Sequence, residues 1–215
     1  MSLMDMLKEK INIPNVGKES LEEIKQVWSA QTIKDLLNGS LIISYDLINK
    51  QLAEHSISPS VSDIVISPVE DNLLNIKFKH EQYGAISCTG EIIAFKHNDK
   101  ESYLSFKIKE KEIKAKNIIS KIITVIGYCI FIKLLGKFPK FSDEINVSMT
   151  EDILKVDFRE YLLKSNFNKK IMGKEIINLV DVLSLEPNVE GIKVNTNLKV
   201  SPVIRKMMEM IIKVR

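Results

Sequence analysis

The chain has 215 residues, of which 45% are hydrophobic and 27% are charged, and this globular balance excludes a chain that is disordered over most of its length. Basic residues outnumber acidic ones by 31 to 28, a formal net charge of +3, and only three of the basic residues are arginines. So small an excess, with so little arginine for bidentate phosphate contacts, argues against a nucleic-acid-binding surface.

The first predicted element is one continuous helix over residues 16–40. Ser20 and Glu23 have the spacing of a capping box at its start. Apolar residues then recur at helical spacing, and Gly39 is a typical stop signal. We therefore expect the chain to begin with a helical segment.

A second, shorter helix is predicted over residues 44–55, with Ser44 as its N-cap. After it, apolar residues alternate with polar ones, as in strands with one covered face and one wet face. Four segments of this kind predict an antiparallel meander: 61–69, 72–80, 84–95 and 101–113. His80 and His97 bound loops in this interpretation, so we expect both to face solvent.

Residues 113–135 contain the most apolar part of the chain. A helix is favoured because its polar residues lie three or four positions apart, as on one helical face. These are Lys114, Asn117, Lys121, Thr124 and Tyr128. A doubly buried strand is the alternative, since isoleucine, valine and aromatic residues favour strands. Lys121 and Lys133 bracket only eleven uncharged residues, fewer than the ~20 of a membrane span, so we expect no transmembrane segment.

The rest of the chain again mixes strands and helices. The predicted elements are strands 145–149 and 152–158, a helix 159–166, an exposed basic connector 168–175, and a hairpin formed by 176–187 and 191–200. A last helix starts at Ser201, its cap, with Pro202 in the first position. Its apolar arc is wider than a surface helix needs, so it packs in the core or forms a self-association or ligand surface. The arc includes Met207, Met208, Met210 and Ile211.

Two segments, 64–78 and 145–158, share one pattern when a single residue is deleted: strand, acidic turn, strand. Two explanations of the match are open: convergence, because hairpins resemble one another, or an internal duplication. A duplication would divide the main domain into related halves, residues 40–136 and 137–215.

The order of elements resembles the tubular lipid-binding (TULIP) superfamily: a short helix, several long antiparallel strands, a long apolar helix, then more strands and another helix. The resemblance covers most of residues 40–215, and residues 1–39 lie outside it as an N-terminal helical extension. It implies an α+β fold in which curved antiparallel sheets wrap around the long helix. It also implies an apolar channel for lipid tails and supplies no catalytic residues.

No chemical signature accompanies this architecture. The histidines (His55, His80, His97) and cysteines (Cys88, Cys129) lack the spacing of metal sites, and no nucleophile-elbow sequence is present. We therefore expect no catalytic residues, no metal site, no cofactor and no enzyme activity. Free, half-buried thiols fit a reducing compartment, which predicts a cytoplasmic protein. An exported protein is the alternative if a targeting segment has been removed from the N-terminus.

Two functional hypotheses follow. The first is a non-catalytic binding protein for an apolar or lipid-like small molecule. Its predicted lining comprises Leu74, Ile76, Phe78, Val125, Ile126, Cys129, Ile130 and Ile132. The second is a structural or interaction protein that forms a homo-oligomer or docks a partner through its methionine-rich C-terminal helix. Lysines near 111–121 and 169–174 suggest a third, weaker class, peripheral membrane binding.

Overall fold

The computed structural model describes residues 18–55, 57–69, 72–109, 116–136, 145–164 and 170–213. These ranges contain the helices α1 (Lys18–Val27), α2 (Ala30–Leu37), α3 (Tyr45–Glu54), α4 (Lys116–Leu135), α5 (Arg159–Lys164) and α6 (Pro202–Lys213). They also contain the strands β1 (Ser40–Ser44), β2 (Val61–Pro68), β3 (Leu73–His80), β4 (Gly84–His97), β5 (Ser102–Ile108), β6 (Asn146–Thr150), β7 (Ile153–Asp157), β8 (Lys170–Ile171), β9 (Lys174–Glu175), β10 (Val180–Pro187) and β11 (Gly191–Leu198). A 3₁₀ turn (Ile176–Asn178) precedes β10. The predicted α+β class is confirmed.

Nine strands form one antiparallel sheet that branches at β4. The main path runs β1-β11-β10-β4-β5-β7-β6, and β3 and β2 extend from the first half of β4. The second half of β4 pairs with β5, and it meets β10 at one register pair, His97 with Val182. Register shifts interrupt β2, β4 and β10. Such bulges bend and twist strands, so the predicted meander forms a curved sheet.

Helix α4 confirms the helical interpretation of the apolar segment from Lys116 onward; residues 113–115 lie outside the described residues. Fourteen of its 20 residues are buried. Gly127 is needed because a Cβ there would lie 2.3 Å from the ring of Phe158. By length and composition the helix could cross a membrane, with a mean hydropathy of 2.1. The sequence argument excluded a membrane span because the apolar run was too short, and the length of α4 does not support that exclusion. However, 78% of the most apolar window of the helix is buried inside the protein.

The predicted continuous helix at the start of the chain is wrong, because α1 and α2 are separated by Trp28 and Ser29. Ser20 lies inside α1 and is therefore not its N-cap, whereas the Ser29 hydroxyl accepts a hydrogen bond from the Thr32 amide at 3.1 Å. The Trp28 indole donates to the Leu134 carbonyl of α4 at 2.7 Å. Burial of this large side chain in the core stabilises the break. The apolar faces of both helices join the same hydrophobic core as the sheet.

Helix α3 confirms the prediction, with the Ser44 hydroxyl accepting from the Leu47 amide at its start. It packs on β2 and protects the edge of that strand. Asn49 donates to the Ile66 carbonyl at 3.0 Å and accepts from the Ile66 amide at 2.8 Å. The asparagine thus occupies backbone groups that an exposed edge would offer to another strand.

The strands and helices after α4 confirm the predictions for β6, β7, α5, β10, β11 and α6, the last capped by the Ser201 hydroxyl. The predicted exposed connector is wrong in part. Residues 170–175 form a small hairpin of β8 and β9, with Ile171 fully buried and only its turn and lysines exposed. Ile171 joins the hydrophobic core, and the Met172 amide in the turn donates to the Glu23 carboxylate of α1 at 3.0 Å. Residues 168–169 of the predicted connector lie outside the described residues.

The two segments of the proposed repeat are both β-hairpins, β2–β3 and β6–β7. Asn72 and Glu151 in their turns both have positive φ, 64° and 54°. The acidic residues 70–71 of the first turn lie outside the described residues. Because hairpin turns commonly use this backbone region, the similarity fits duplication and convergence equally. The division into two halves stays a prediction.

Candidate functional site

The eight residues predicted to line a ligand channel lie on α4 and β3. Seven are buried in the core, and Ile132 is half-buried. Another residue of α4, Phe131, makes aromatic contacts in the core. Its ring packs on Phe95 of β4 and on Phe158, with ring centroids 5.6 and 5.2 Å apart. None of the eight residues lines either of the two grooves described below.

His97 was expected at the surface, and this prediction is wrong. It is fully buried, with its ring edge against Phe131 at 5.1 Å. Nδ1 lies 3.0 Å from the Ser102 hydroxyl, and Nε2 has no partner in good hydrogen-bond geometry among the described residues. Burial lowers the pKa of His97 to about 4, and the nearby Ile177 backbone and the Asp181 carboxylate offset this only in part. A neutral imidazole in the core acts as a packing group.

The polar stripe that supported the helical interpretation of α4 differs in exposure along its length. Asn117 is exposed, whereas Thr124 and Tyr128 are buried; Lys114 lies outside the described residues. The segment after α3 covers the buried part of the stripe. Lys121 donates to the Ile57 carbonyl at 3.2 Å, and the Tyr128 ring meets His55 edge-on at 5.2 Å. We call Lys121, Thr124 and Tyr128 the polar seam of α4.

A groove lies beside this seam, between the end of α3 and the start of β2, and we call it the α3–β2 groove. Its volume is about 510 Å³. Five apolar and five polar residues line it: Leu52, Ala53, Ile57, Val61, Ile64, and Glu54, His55, Ser58, Ser62, Asp63. The volume falls within the range of small-molecule sites, about 300–1,000 Å³. The mixed lining suits a ligand with both an apolar and a polar part.

A second groove, of about 320 Å³, lies on the other side of β2 and shares Val61 and Ser62 with the first. β2 contains a bulge between Ser62 and Val65, where Asp63 has a φ of +53° and its carboxylate pairs with Lys79 of β3 at 2.8 Å. The sequence carried a sign of this bulge. Val61 and Ile64 are three positions apart, which interrupts the alternation that a regular strand requires.

The two cysteines were expected to be half-buried, and both are instead fully buried thiols. Burial raises the pKa of Cys129 to about 12. A thiol that stays protonated is a poor nucleophile and a poor metal ligand. Within the described residues, no three or more His, Cys, Asp or Glu side chains are grouped so that they could hold a metal ion.

The C-terminal helix α6 packs against α2. Met207 and Met208 are completely buried, Ile211 is nearly so, and Met210 is half-buried. These four residues were predicted to form an interaction surface. The apolar arc is wide because α6 is covered within the single chain, which leaves little of it for a partner.

No family model, curated protein or solved structure matches this chain.

Proposed function

We propose that the protein is a non-catalytic binding protein for an apolar or lipid-like small molecule, held in the α3–β2 groove. The observation that carries the proposal is the groove itself, about 510 Å³ with an evenly mixed lining. Leu52, Ile57, Val61 and Ile64 would contact the carbon chain, and the polar residues would meet the head group. The resemblance in element order to the tubular lipid-binding superfamily suggests the same class of ligand.

The energetics of burial support this proposal. Each methylene taken from water contributes about 0.8 kcal/mol, so a short acyl or alkyl chain gains several kcal/mol before association costs are subtracted. Because the groove is open to solvent, it covers the carbon chain of a ligand only in part, and we therefore expect a moderate affinity for the ligand. This affinity lies well below the upper limit that the tightest, fully enclosed ligands reach.

The polar seam of α4 gives the groove a natural extension. Residues 55 and 57, which line the groove, also cover Tyr128 and Lys121 of α4. Separating these contacts would uncover a helix that is apolar on its other sides. A longer carbon chain could therefore pass from the groove onto α4, bringing Val125, Cys129 and their neighbours into the site.

The test uses a variant that fills the groove from outside the core. Ala53 is exposed and lines the groove, so Ala53→Trp blocks it without disturbing buried packing. Lys50→Trp is the matched control, because Lys50 is exposed on the same helix and lines neither groove. We expect Nile red fluorescence to report saturable binding to the wild type and to Lys50→Trp, and at least tenfold weaker binding to Ala53→Trp.

Native mass spectrometry of protein purified from cells provides a second measurement. We expect one co-purifying apolar mass per chain, which is lost in Ala53→Trp. The proposal is refuted if no such mass is found and Nile red binds neither the wild type nor Lys50→Trp. Equal binding to both tryptophan variants would refute the groove as the site.

A further inference from the structure

Strand β6 forms one edge of the main sheet. In the described part of the chain its only strand neighbour is β7, and their register runs from Asn146 to Thr150 without a bulge. An edge strand presents unpaired N–H and C=O groups, which proteins commonly protect with lysines, prolines, bulges or a covering helix. β6 contains no charged residue and no proline, and four of its five residues are exposed. The edge is therefore open to pairing with another strand.

The other edges of the described sheet have protection that β6 lacks. β2 has a bulge at Asp63, and Asn49 of α3 occupies the backbone groups of Ile66. β1 follows α2 and leads directly into α3, and both helices contact it. A helix at each end of so short a strand limits the approach of another chain.

The side chains of β6 extend the apolar face of the sheet beyond the core. Val147 and Met149 lie on the core-facing side, because they pair with the buried residues Val156 and Leu154 of β7. Even so, Val147 is 43% exposed and Met149 is only half-buried. One more strand beyond β6 would cover this apolar surface, which burial favours.

The backbone direction in β7 shows which groups of β6 reach the free edge. The Phe158 amide, directly after β7, donates to the Ser102 carbonyl of β5 at 2.8 Å. Since backbone groups alternate in direction along a strand, the even-numbered residues of β7 point to β5 and the odd-numbered ones to β6. The odd-numbered residues pair with the even-numbered residues of β6. The N–H and C=O groups of Val147 and Met149 therefore point away from the sheet.

A second, antiparallel copy of β6 fits this edge. If the two Ser148 residues meet at a twofold axis, Val147 of each chain lies opposite Met149 of the other. Both residues carry outward-pointing backbone groups, so each such pair can exchange two hydrogen bonds. Asn146 lies opposite Thr150 on the other face. No charges meet, and the apolar pairs lie together on the core side, which is the self-complementarity that a twofold interface requires.

We propose that the protein forms a symmetric homodimer in which β6 pairs with β6 of a second copy, so that one sheet continues through both chains. No residue of β6 lines the α3–β2 groove, so this inference does not depend on the proposed function. A contact through one five-residue strand is small, and we expect a weak dimer that dissociates on dilution.

Sedimentation velocity of the full chain over about a hundredfold range of concentration measures the association. We expect Val147→Lys to weaken the dimer by about tenfold or more, because a lysine on an edge strand opposes strand pairing. Ile42→Lys is the matched control. Ile42 lies on the edge strand β1 and has the same exposed fraction, 43%, so the variant should dimerise as the wild type does.

A cysteine cross-link tests the register without changing the apolar face. The two Ser148 Cα atoms would lie about 4.5 Å apart, within the range of a disulfide, so Ser148→Cys should form covalent dimers under mild oxidation. Thr150→Cys is the control on the same strand, since Thr150 lies opposite Asn146 and roughly 13 Å from its own copy. Cys88 and Cys129 are buried and should not react in the folded protein.

The outcomes decide between this dimer and other contacts. A chain that stays monomeric at every concentration, with no preferential cross-link at Ser148→Cys, overturns the inference. Equal cross-linking of both cysteine variants would show random collision and overturns it as well. Association that Ile42→Lys abolishes and Val147→Lys retains would place the interface at β1, and assemblies larger than a dimer would show pairing between different edges. Either result overturns the pairing of β6 with itself.

Discussion

The buried imidazole of His97 makes the stability of this protein depend on pH. In an unfolded chain the histidine titrates at its ordinary pKa of 6.5, and burial lowers the folded value to about 4. Between these values the unfolded state binds more protons, so the free energy of unfolding falls as pH falls. The span of 2.5 units, at 1.36 kcal/mol each, corresponds to about 3 kcal/mol lost by pH 4.

Urea denaturation at half-unit steps from pH 7.5 to pH 4 measures this effect. The informative quantity is the difference in unfolding free energy between the wild type and the double variant His97→Phe with Ser102→Ala, which removes the titrating ring and its partner together. We expect this difference to be flat above pH 7 and to change by about 3 kcal/mol towards pH 4, as the wild type alone loses stability.

Ser102→Ala alone is the control, because it keeps the ring and should keep the pH slope at a lower stability. Asp181, Arg159 and Lys199 also act on His97, and all three are retained in both variants. A wild type and double variant whose stabilities run parallel from pH 7.5 to 4 would refute the reasoning. His97 would then be solvated, or protonated, in the folded state.

Three further outcomes follow from local geometry. Gly136→Ala should lower the free energy of unfolding by more than about 2 kcal/mol in urea, since Gly136 has a φ of +85° and its new Cβ would lie 2.1 Å from a carbonyl oxygen. Gly173→Ala, at a similar φ of +79° but in open space, should cost about 1 kcal/mol, and equal losses would contradict the steric argument. Asn49→Leu should cost about 1–3 kcal/mol by leaving the Ile66 amide and carbonyl unpaired, and it should promote aggregation measured by light scattering. Cys129 should react with a thiol reagent only at the rate of unfolding, and fast labelling of folded protein would show that it is not buried.

Periodicity predicted most of the fold. Alternation identified the strands, and helical spacing together with length identified α4 despite its many β-branched residues. The sequence did not reveal the break at Trp28, because the apolar spacing continues through it. The hydrogen bond from the Trp28 indole to the Leu134 carbonyl, far along the chain, determines where α1 ends. Long-range contacts of this kind leave no local mark on a sequence.

The candidate site was harder to predict than the fold. The eight residues proposed for a ligand channel are apolar and lie on α4 and β3, away from the lining of the α3–β2 groove, because apolarity cannot distinguish a lining from a packed core. Thr124 and Tyr128 show that a polar stripe on a helix can face another segment as well as water. The interrupted alternation around Asp63 marks the irregular part of β2, and it was not used to predict a groove.

The pairing of β1 with β11, and the packing of α2 on α6, join residues 30–44 to residues 191–213, far along the chain. During translation α2 and β1 therefore leave the ribosome well before these partners exist. Until the partners have been synthesised, the apolar faces that contain Trp28, Ile33 and Leu36 are not fully covered. Non-local closure of this kind slows folding and favours chaperone engagement of the nascent polypeptide.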